Sequence, residues 1–367
     1  MKITRFEASH FRVPREIWWG SLPVSGSLYS ISSIELITCE IETDEGQTGF
    51  GLTYTVGHGG SAIHATLRDE IGPELLRRDC RAPETIWHEL WLRLHWVGRG
   101  GVVATAIAAA DIALWDARAK SRALPLYEFL GAHRDSIAAY GSGVNLGYSL
   151  DQLVSEAQGF HNLGFDAVKI KVGRSSEEDI ERVRAVRAAV GNRCRLMLDA
   201  NMAWTLAEAG LRLKRLEPYD IDWLEEPLAP EDIAGHAALQ ASTTVPLAAG
   251  ESLFSPWEFA SYFRAGAVRI AQPDVTRLGV TGWLKVAHAA ELLHIPIAPH
   301  FVPEIHVHLT CAIPNALRLE YLPWLERLLS SKLEIVDGIA RPPSSPGHGV
   351  MLDRELLEPY RVRGTTV

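Results

Sequence analysis

The length, composition and charge of the chain limit both its fold and its partners. Its 367 residues are 47% hydrophobic and 22% charged, as in a globular protein with one large domain or two smaller ones. The formal net charge is -9 and no basic cluster is present, so we expect no nucleic-acid partner. Four scattered cysteines and the absence of a signal-peptide pattern in "MKITRFEASHF" indicate the cytoplasm. The longest apolar run is interrupted by Asp111 and is too short to span a membrane.

The first 130 residues predict an antiparallel sheet followed by helices. Apolar and polar residues alternate in "SIELITCEIETDEGQTGFGLTY", and "TDEGQTG" predicts the turn of a hairpin. Apolar residues then recur every three or four positions in "ETIWHELWLRL" and "VVATAIAAADIALWDARAK", which is typical of helices. We therefore predict an N-terminal α+β domain over residues 1–130.

Residues 131–325 predict a second, parallel α/β domain. Short apolar strands alternate there with amphipathic helices, as parallel βα units require. The predicted strands cover residues 137–141, 167–172, 195–199, 221–225, 247–249, 268–271, 295–299 and 316–319. Eight units favour a closed barrel over the alternative, an open doubly wound sheet. Residues 326–367 predict a proline-rich segment that ends in a short strand packed on the N-terminal domain.

Two lysines lie two positions apart in the predicted strand "DAVKIKVG". Because side chains alternate along a strand, Lys169 and Lys171 point to the same side. A buried cation is costly and two neighbouring cations repel, so the pair needs a special environment or an open strand end. We expect this repulsion to lower an ammonium pKa and to make a usable base, whereas the alternative is that the lysines only bind nearby carboxylates.

Carboxylates stand at the C-terminal ends of three successive predicted strands. Asp199 in "LMLDAN", Glu225 in "WLEEP" and Glu251 in "AAGES" are spaced by one βα unit, so the three converge on one rim of the barrel. Any one of them alone would more often be solvated or cap a helix. Together they predict an all-oxygen site, which suits Mg²⁺.

The last three predicted strands also end in ionisable residues, Asp274 in "AQPD", His300 in "IAPH" and Glu320 in "LRLE". A carboxylate beside a histidine fixes its tautomer and raises its basicity, although the pair can also be purely structural. His306 and His308 in "HVH" resemble a metal pair, but we expect them in a helix, where positions two apart diverge.

The order of "KIK", "LDAN", "EEP", "GES", "QPD", "PH" and "LE" resembles the mandelate racemase and muconate lactonising enzyme group of the enolase superfamily, over nearly the whole chain. The resemblance implies a modified (β/α)7β TIM-type barrel, with an N-terminal capping domain that the C-terminal tail completes. It also implies a small carboxylic-acid substrate and a homo-oligomer, either a dimer or an octamer.

The resemblance assigns roles to the residues of the site. The implied ligands of Mg²⁺ are Asp199, Glu225 and Glu251. The implied catalytic residues are Lys169, Lys171, Asp274, His300 and Glu320. Lys171 and the His300–Asp274 pair would face each other across the site, and a protonated Glu320 would hold the substrate carboxylate while an enediolate forms. Asn201 matches a nearby polar contact to the substrate.

Two reactions are open to such a site. Removal of an α-proton followed by loss of a β-hydroxyl is dehydration, whereas return of the proton from the far face is racemisation or epimerisation. The segments "DIALWDARAK", "LGAHRDS", "WLEEPLAPEDIAGHA" and "APHFVPEIHVHL" are most similar to acid-sugar dehydratases of the talarate/galactarate type, which favours dehydration to a 2-keto-3-deoxy acid. A ligand-binding barrel without catalysis is a further alternative, but it would be expected to lack at least one of these groups.

Two loops of the capping domain are expected to set the specificity. The segments "EIWWGSLPVSGSLYS" and "TYTVGHGGS" contain no Lys or Arg. Trp18, Trp19 and Tyr54 therefore predict a weakly charged distal pocket with His58 as a polar contact, unless the aromatic residues only pack the loops. A second carboxylate would be unpaired there, so we expect monocarboxylic acids to be preferred over diacids.

Overall fold

The computed structural model describes residues 1–366, and its secondary structure alternates between strands and helices. The strands are β1 (Ile3–Pro14), β2 (Ser33–Thr43), β3 (Thr48–Val56), β4 (Ile137–Ser142), β5 (Ala167–Lys171), β6 (Arg195–Asp199), β7 (Ile221–Glu225), β8 (Leu247–Ala249), β9 (Ile270–Ala271), β10 (Leu319–Tyr321), β11 (Glu334–Val336), β12 (Ile339–Arg341) and β13 (Arg361–Thr366). The α-helices are α1 (Arg15–Trp18), α2 (Gly60–Ala65), α3 (Gly72–Leu75), α4 (Pro83–Arg93), α5 (Val102–Lys120), α6 (Leu126–Phe129), α7 (Leu150–Asn162), α8 (Ser176–Val190), α9 (Leu206–Leu216), α10 (Ile233–Ser242), α11 (Pro256–Ala265), α12 (Val275–Leu292), α13 (Pro303–Ala312) and α14 (Arg354–Leu357). A π-helical segment, Thr66–Ile71, continues α2, and short 3₁₀ turns cover Leu94–Trp96, Glu217–Tyr219, Glu326–Leu328 and Glu358–Tyr360.

The N-terminal domain is built on an antiparallel sheet with the strand order β13-β1-β2-β3. The predicted hairpin joins β2 to β3, and the last strand of the chain pairs with β1. Helix α5 covers this sheet at very short range. A Cβ atom on Gly51 would lie 2.0 Å from the backbone oxygen of Ala109, so only glycine allows this approach.

The second domain is a closed barrel, which confirms the predicted fold class. Strands β4 to β9 are parallel neighbours in chain order, and β10 pairs in parallel with β4 to close the circle. Because side chains alternate, every second residue points into the barrel. The lower interior is filled by Tyr140, Ala167, Met197, Trp223, Ala248, Ile270 and Ala298.

The seventh predicted strand is reduced to a single bridging residue. Ile297 pairs with Ala271 on one side and with Ala316 on the other. Pro296 and Pro299 flank this position, and a proline has no backbone N–H to extend a ladder. The barrel therefore closes through isolated bridges at this point, and the eighth strand begins later than predicted.

The C-terminal segment contacts both domains. Its first hairpin, β11 and β12, pairs antiparallel with the start of β4 through Ile339 and Ala340, while β13 joins the capping sheet. The predicted return to the N-terminal domain is therefore made by the end of the segment, and its beginning lies on the barrel. The domain boundaries at residues 130 and 325 stay predictions.

Helix α12 connects the capping domain to the barrel site. The indole of Trp115 donates to Thr281 Oγ1 at 2.9 Å, and Asp111 accepts from the Thr281 backbone N–H at 2.8 Å. Thr53 in β3 donates to the carbonyl of Thr276 at 3.2 Å. Because α12 begins directly after Asp274, these bonds fix the rim of the barrel against the sheet that covers it.

No helix within residues 1–366 combines the length and the apolar character that crossing a membrane requires. The predicted helix around the two histidines of "HVH" is present as α13, and the imidazoles of both residues are buried. His308 Nδ1 accepts from the Tyr127 backbone N–H at 3.3 Å, and its Nε2 lies 3.1 Å from the carbonyl oxygen of His348. Both nitrogens thus have backbone partners, which is a structural role.

Candidate active site

Three carboxylates meet at the C-terminal rim of the barrel. One oxygen each from Asp199, Glu225 and Glu251 lies within 4.8 Å of the other two. Asp199 and Glu225 are direct partners in the β6–β7 register, and both are fully buried. Gly250 allows Glu251 to turn towards them, since its φ is +152° and a Cβ there would lie 2.6 Å from the backbone of Gln272.

The donor set of this cluster fits a hard divalent ion. Buried carboxylates of like charge repel one another unless a cation lies among them. Three converging oxygen donors without a Cys or His ligand are the usual protein contribution to a Mg²⁺ site, which leaves further positions for water and substrate oxygens. Asp199, Glu225 and Glu251 are the residues that would hold the ion.

Both lysines of β5 point into the barrel, as their spacing predicts. Lys169 Nζ donates to the two carboxylate oxygens of Glu225 at 2.9 and 2.8 Å and lies 2.7 Å from Glu320 Oε1. Below it, the Tyr140 ring centroid is 5.5 Å from the ammonium. Lys171 is one step higher, donates to Asp199 and lines the cavity above the carboxylates.

The protonation of these lysines differs from the expectation. Burial lowers the pKa of Lys171, but the charge of Asp199 outweighs both burial and the repulsion from Lys169, so the pKa is raised. Burial likewise opposes the charged form of Lys169, yet Glu225 and Glu320 raise its pKa well above the usual value. The prediction of a lowered ammonium pKa is wrong for this arrangement of protein charges, because the charges of the nearby carboxylates outweigh burial and the repulsion between the two lysines.

Glu320 also differs from its predicted state. Its Oε2 accepts from the Phe301 backbone N–H at 2.7 Å, and its Oε1 pairs with Lys169. Burial raises the pKa of Glu320, but the charges of Lys169 and His300 outweigh it and lower the pKa to about 2. The carboxylate is therefore ionised beside Lys169, and the prediction of a protonated acid is wrong for this arrangement.

The histidine at the rim is oriented by a carboxylate. His300 Nδ1 lies 3.0 Å from Asp274 Oδ2, and its Nε2 lies 3.0 Å from Glu251 Oε2. Asp274 in turn accepts from the backbone N–H and the hydroxyl of Thr276, both at 2.7 Å. A carboxylate accepts but does not donate, so Nδ1 and Nε2 each carry a proton in this arrangement. Asp274 holds Nδ1, which leaves Nε2 as the atom that can exchange its proton with a substrate.

The electrostatics of this pair favour the imidazolium form. Burial lowers the pKa of His300, but Glu251 and the hydrogen bond to Asp274 outweigh it and raise the pKa to about 9. Burial would raise the pKa of Asp274, yet the hydrogen bond from His300 and the charge of Arg277 hold it well below the usual range. Asp274 thus stays ionised and keeps the imidazole basic.

One cavity of about 100 Å³ brings most of the predicted residues together. The predicted site residues that line it are Tyr54, Lys171, Asn201, Glu251, His300 and Glu320. Asn201 lies beside the carboxylate cluster, and its backbone N–H donates to Asp199 at 2.8 Å. Lys169, Asp199 and Asp274 do not line the cavity but are bonded to Glu320, Lys171 and His300, which do, and Glu225 is bonded to Lys169.

Three residues predicted from the capping loops lie outside the cavity. Trp18 is fully buried, and its ring centroid is 4.7 Å from that of Trp324, which does line the cavity. Trp19 lines a separate cavity of about 380 Å³, and His58 is exposed. The structure thus places Trp18 as a packing residue behind the wall and separates Trp19 and His58 from the lining.

Two residues near the carboxylate cluster and the His300–Asp274 pair were not predicted. Gln272 Nε2 donates to Glu225 Oε2 at 2.6 Å and so orients a residue of the metal cluster. Arg277 lines the cavity from the first turn of α12. The sequence did contain a signal for Arg277, because it is three positions after Asp274 and two residues at this spacing lie on the same face of a helix. The expectation of a distal pocket without a cation is wrong, because this arginine comes from the barrel and not from the capping loops.

Comparison with known proteins agrees with this geometry over both domains. Residues 10–131 match the family described as mandelate racemase / muconate lactonizing enzyme, N-terminal domain, and residues 152–356 match the family described as enolase C-terminal domain-like. The chain belongs to the mandelate racemase and muconate lactonizing enzyme group of the enolase superfamily. The predicted family is confirmed, and the protein is an enzyme of this group.

Members of this group that resemble the chain act on acid sugars by name. The chain is 37% identical over 331 residues to 3,6-anhydro-alpha-L-galactonate cycloisomerase of Streptomyces coelicolor, a match that covers 89% of this chain and 92% of the relative. It is 38% identical over 319 residues to L-talarate/galactarate dehydratase of Salmonella typhimurium, which covers 86% of this chain and 80% of the relative.

A solved structure of the group also contains the expected metal. The L-talarate dehydratase from Polaromonas sp. JS666, complexed with Mg and L-glucarate, has a TM-score of 0.93 to this chain at 35% identity. The match covers 100% of this chain and 99% of that one. Magnesium is thus the cofactor that both the donor set and the structural relative support.

Proposed function

We propose that the protein is a Mg²⁺-dependent acid-sugar dehydratase that converts a hydroxy carboxylate to a 2-keto-3-deoxy acid. The observation that carries the proposal is that Lys171 and His300 line one cavity beside the carboxylate cluster, although they come from the second and seventh positions around the barrel. Two separate acid/base groups are what removal of an α-proton and loss of a β-hydroxyl require.

The difficult step is removal of the α-proton, because it places a second negative charge on the substrate carboxylate. Bound Mg²⁺ would stabilise that charge as a Lewis acid. Among the protein groups, the ammonium of Lys169 is fixed by Glu225 and Glu320 next to the same position and is a second source of positive charge.

The two cavity groups then divide the proton transfers. The charges of Asp199 and Glu251 hold Lys171 and His300 in their protonated forms unless bound Mg²⁺ offsets those charges. One of the two, Lys171 at Nζ or His300 at Nε2, then takes the α-proton in its neutral form, and the C–H electron pair forms the enediolate. The other donates a proton to the β-hydroxyl, which leaves as water while a carbon–carbon double bond forms. The resulting enol takes up a proton at the β-carbon and gives up its O–H proton, which makes it the ketone. Which group acts first depends on the configuration of the substrate.

Racemisation or epimerisation is the second candidate, and the same pair of residues favours it. If the second group returns a proton to the α-carbon from its own face, the configuration is inverted and no water is lost. The two reactions share their first step, so α-proton exchange is common to both and product identity separates them.

The test is a panel of six-carbon acid sugars incubated with the protein and Mg²⁺ in D₂O and followed by NMR. We expect a 2-keto-3-deoxy product from at least one acid, loss of turnover with excess EDTA, and recovery with Mg²⁺. Lys171→Ala should abolish product, whereas Lys214→Ala, an exposed lysine on α9, should leave it unchanged. Epimer formation without a keto product would favour the racemase, and full turnover after exhaustive chelation would overturn the metal assignment.

The proposal also covers location and assembly. We propose a cytoplasmic enzyme, which the four buried, unpaired cysteines support because they need no oxidising compartment. The expected dimer or octamer is part of the same proposal, and light scattering of the purified protein tests it.

A further inference from the structure

Arg277 is a cation at the cap-facing side of the active-site cavity. It is the third residue of α12, and its Nη1 donates to the backbone carbonyl of Tyr54 at 3.3 Å. Its guanidinium carbon lies 5.0 Å from the Tyr54 ring centroid and 5.6 Å from that of Phe254. The charge is therefore positioned by β3 of the capping sheet.

Most donors of this guanidinium have no partner among the described residues. An arginine carries five N–H donors, but the hydrogen bond to Tyr54 is the one that the described residues, 1–366, provide. The Nε atom is buried and has no acceptor, and no carboxylate of those residues lies within 4 Å of the guanidinium. Buried charges and donors in proteins are normally paired, so this group requires an explanation.

Arginines with a structural role in the same chain each donate to several acceptors. Arg187 donates to the carbonyls of four residues. Arg182 donates to three carbonyls, although its Nε, like that of Arg277, has no acceptor. Arg318 makes a two-pronged ion pair with Asp166, at 2.6 and 2.9 Å. Arg277 lacks such a set of acceptors and, unlike these residues, faces the cavity, so its free donors are available to a bound molecule.

We propose that Arg277 is a specificity-determining residue that binds a terminal carboxylate at the distal end of the substrate. This inference rests on the proposed function, in which the reacting carboxylate lies at the metal cluster and the chain of the sugar acid extends towards the cap. The planar fork of an arginine matches a carboxylate with two parallel hydrogen bonds, and both bonds are charge-assisted. A diacid satisfies this group, whereas the hydroxymethyl end of a monoacid satisfies it in part and leaves the charge unpaired.

The test compares pairs of acids that differ only at the distal carbon, gluconate with glucarate and galactonate with galactarate. Affinity is measured by titration calorimetry in Mg²⁺ and, where turnover occurs, kcat/KM is measured as well. Wild-type protein should prefer the diacid of at least one pair. Arg277→Met should weaken binding of that diacid about 10- to 100-fold, as expected for the loss of hydrogen bonds between charged groups, and change the monoacid by less than about threefold.

Two further variants keep the test decisive. Arg277→Lys retains the charge but loses the planar fork, so it should recover only part of the diacid affinity. Arg118→Met is the matched control, since Arg118 lies 5.1 and 5.2 Å from two aromatic rings outside the cavity. Because the charge of Arg277 also lowers the pKa of Asp274, any shift of the pH profile of kcat in Arg277→Met should be the same for the monoacid and the diacid, whereas the loss of affinity should be confined to the diacid.

The outcomes separate this inference from the proposed function. Equal losses for the monoacid and the diacid in Arg277→Met, or a wild-type preference for both monoacids, would overturn the role of Arg277 even if dehydration is observed. If no acid is dehydrated but calorimetry shows a diacid preference that Arg277→Met removes, the inference about Arg277 is supported and the proposed reaction is rejected.

Discussion

Replacement of Asp274 by asparagine tests the role of His300 with almost no change of shape. Thr276 donates twice to Asp274 Oδ1, through its backbone N–H and its hydroxyl, both at 2.7 Å. In Asp274→Asn the amide oxygen must keep this position, because an NH₂ group there would face two donors. The amide NH₂ is then placed where Oδ2 was, 3.0 Å from His300 Nδ1.

This exchange reverses the tautomer of the histidine. The asparagine NH₂ donates to Nδ1, so the single proton of the neutral imidazole moves to Nε2, and Nε2 can no longer accept a proton from the substrate. The same substitution behind a catalytic histidine lowers kcat by about 10⁴-fold in a serine protease, which is roughly 5.5 kcal/mol of barrier. We expect a loss of about 10³- to 10⁴-fold here, since the histidine is one of two acid/base groups.

The N-terminal cap of α12 should be kept in this variant. Asp274 is the N-cap residue of α12 through its bond from Thr276, and asparagine caps a helix about as well as aspartate does. Asp232→Asn is the matched control, because Asp232 caps α10 through Gly235 at 2.8 Å and is exposed. Both variants should keep the wild-type circular dichroism spectrum and Mg²⁺ content, with kcat lost only in Asp274→Asn. A rate within tenfold of wild type would refute the assignment of His300 as an acid/base group.

The other predictions concern the second face of the site and the buried histidines. Lys171→Ala and His300→Asn should each lower overall turnover at least about 10²-fold, while each still exchanges the α-proton of the epimer that faces the intact group. Loss of exchange from both epimers in a folded variant would contradict a two-sided site. Burial lowers the pKa of His308 from 6.5 to about 3, so below pH 6.5 the unfolded chain binds a proton that the folded protein does not. As the pH drops below 6.5, this residue should therefore lower the free energy of unfolding by about 1.4 kcal/mol per pH unit, or about 2 kcal/mol by pH 5. The free energy of unfolding, measured with urea at pH 7 and pH 5, should therefore decrease between these pH values by about 2 kcal/mol less in His308→Gln than in the wild type. An equal decrease in the two proteins would show that His308 is not the cause.

The capping loops show where sequence reasoning was insufficient. Aromatic residues in both loops predicted a distal pocket made by Trp18, Trp19 and Tyr54, yet of these Tyr54 alone lines the cavity. The cation of the pocket, Arg277, is 223 positions from its partner Tyr54 along the chain. Local patterns carry no information on a contact of this length, because it depends on how α12 packs against the capping sheet.

The sequence by itself determined the carboxylate cluster and the lysine pair, because the constraints there are local and periodic. A strand fixes Lys169 and Lys171 on one side, and parallel βα units bring Asp199 and Glu225 to neighbouring strand ends whatever the remainder of the chain does. The tertiary structure alone decided the ionisation of the site and its distal lining. Those properties depend on distances between side chains from different units, such as the 2.7 Å from Lys169 to Glu320, and these exist only once the barrel has closed.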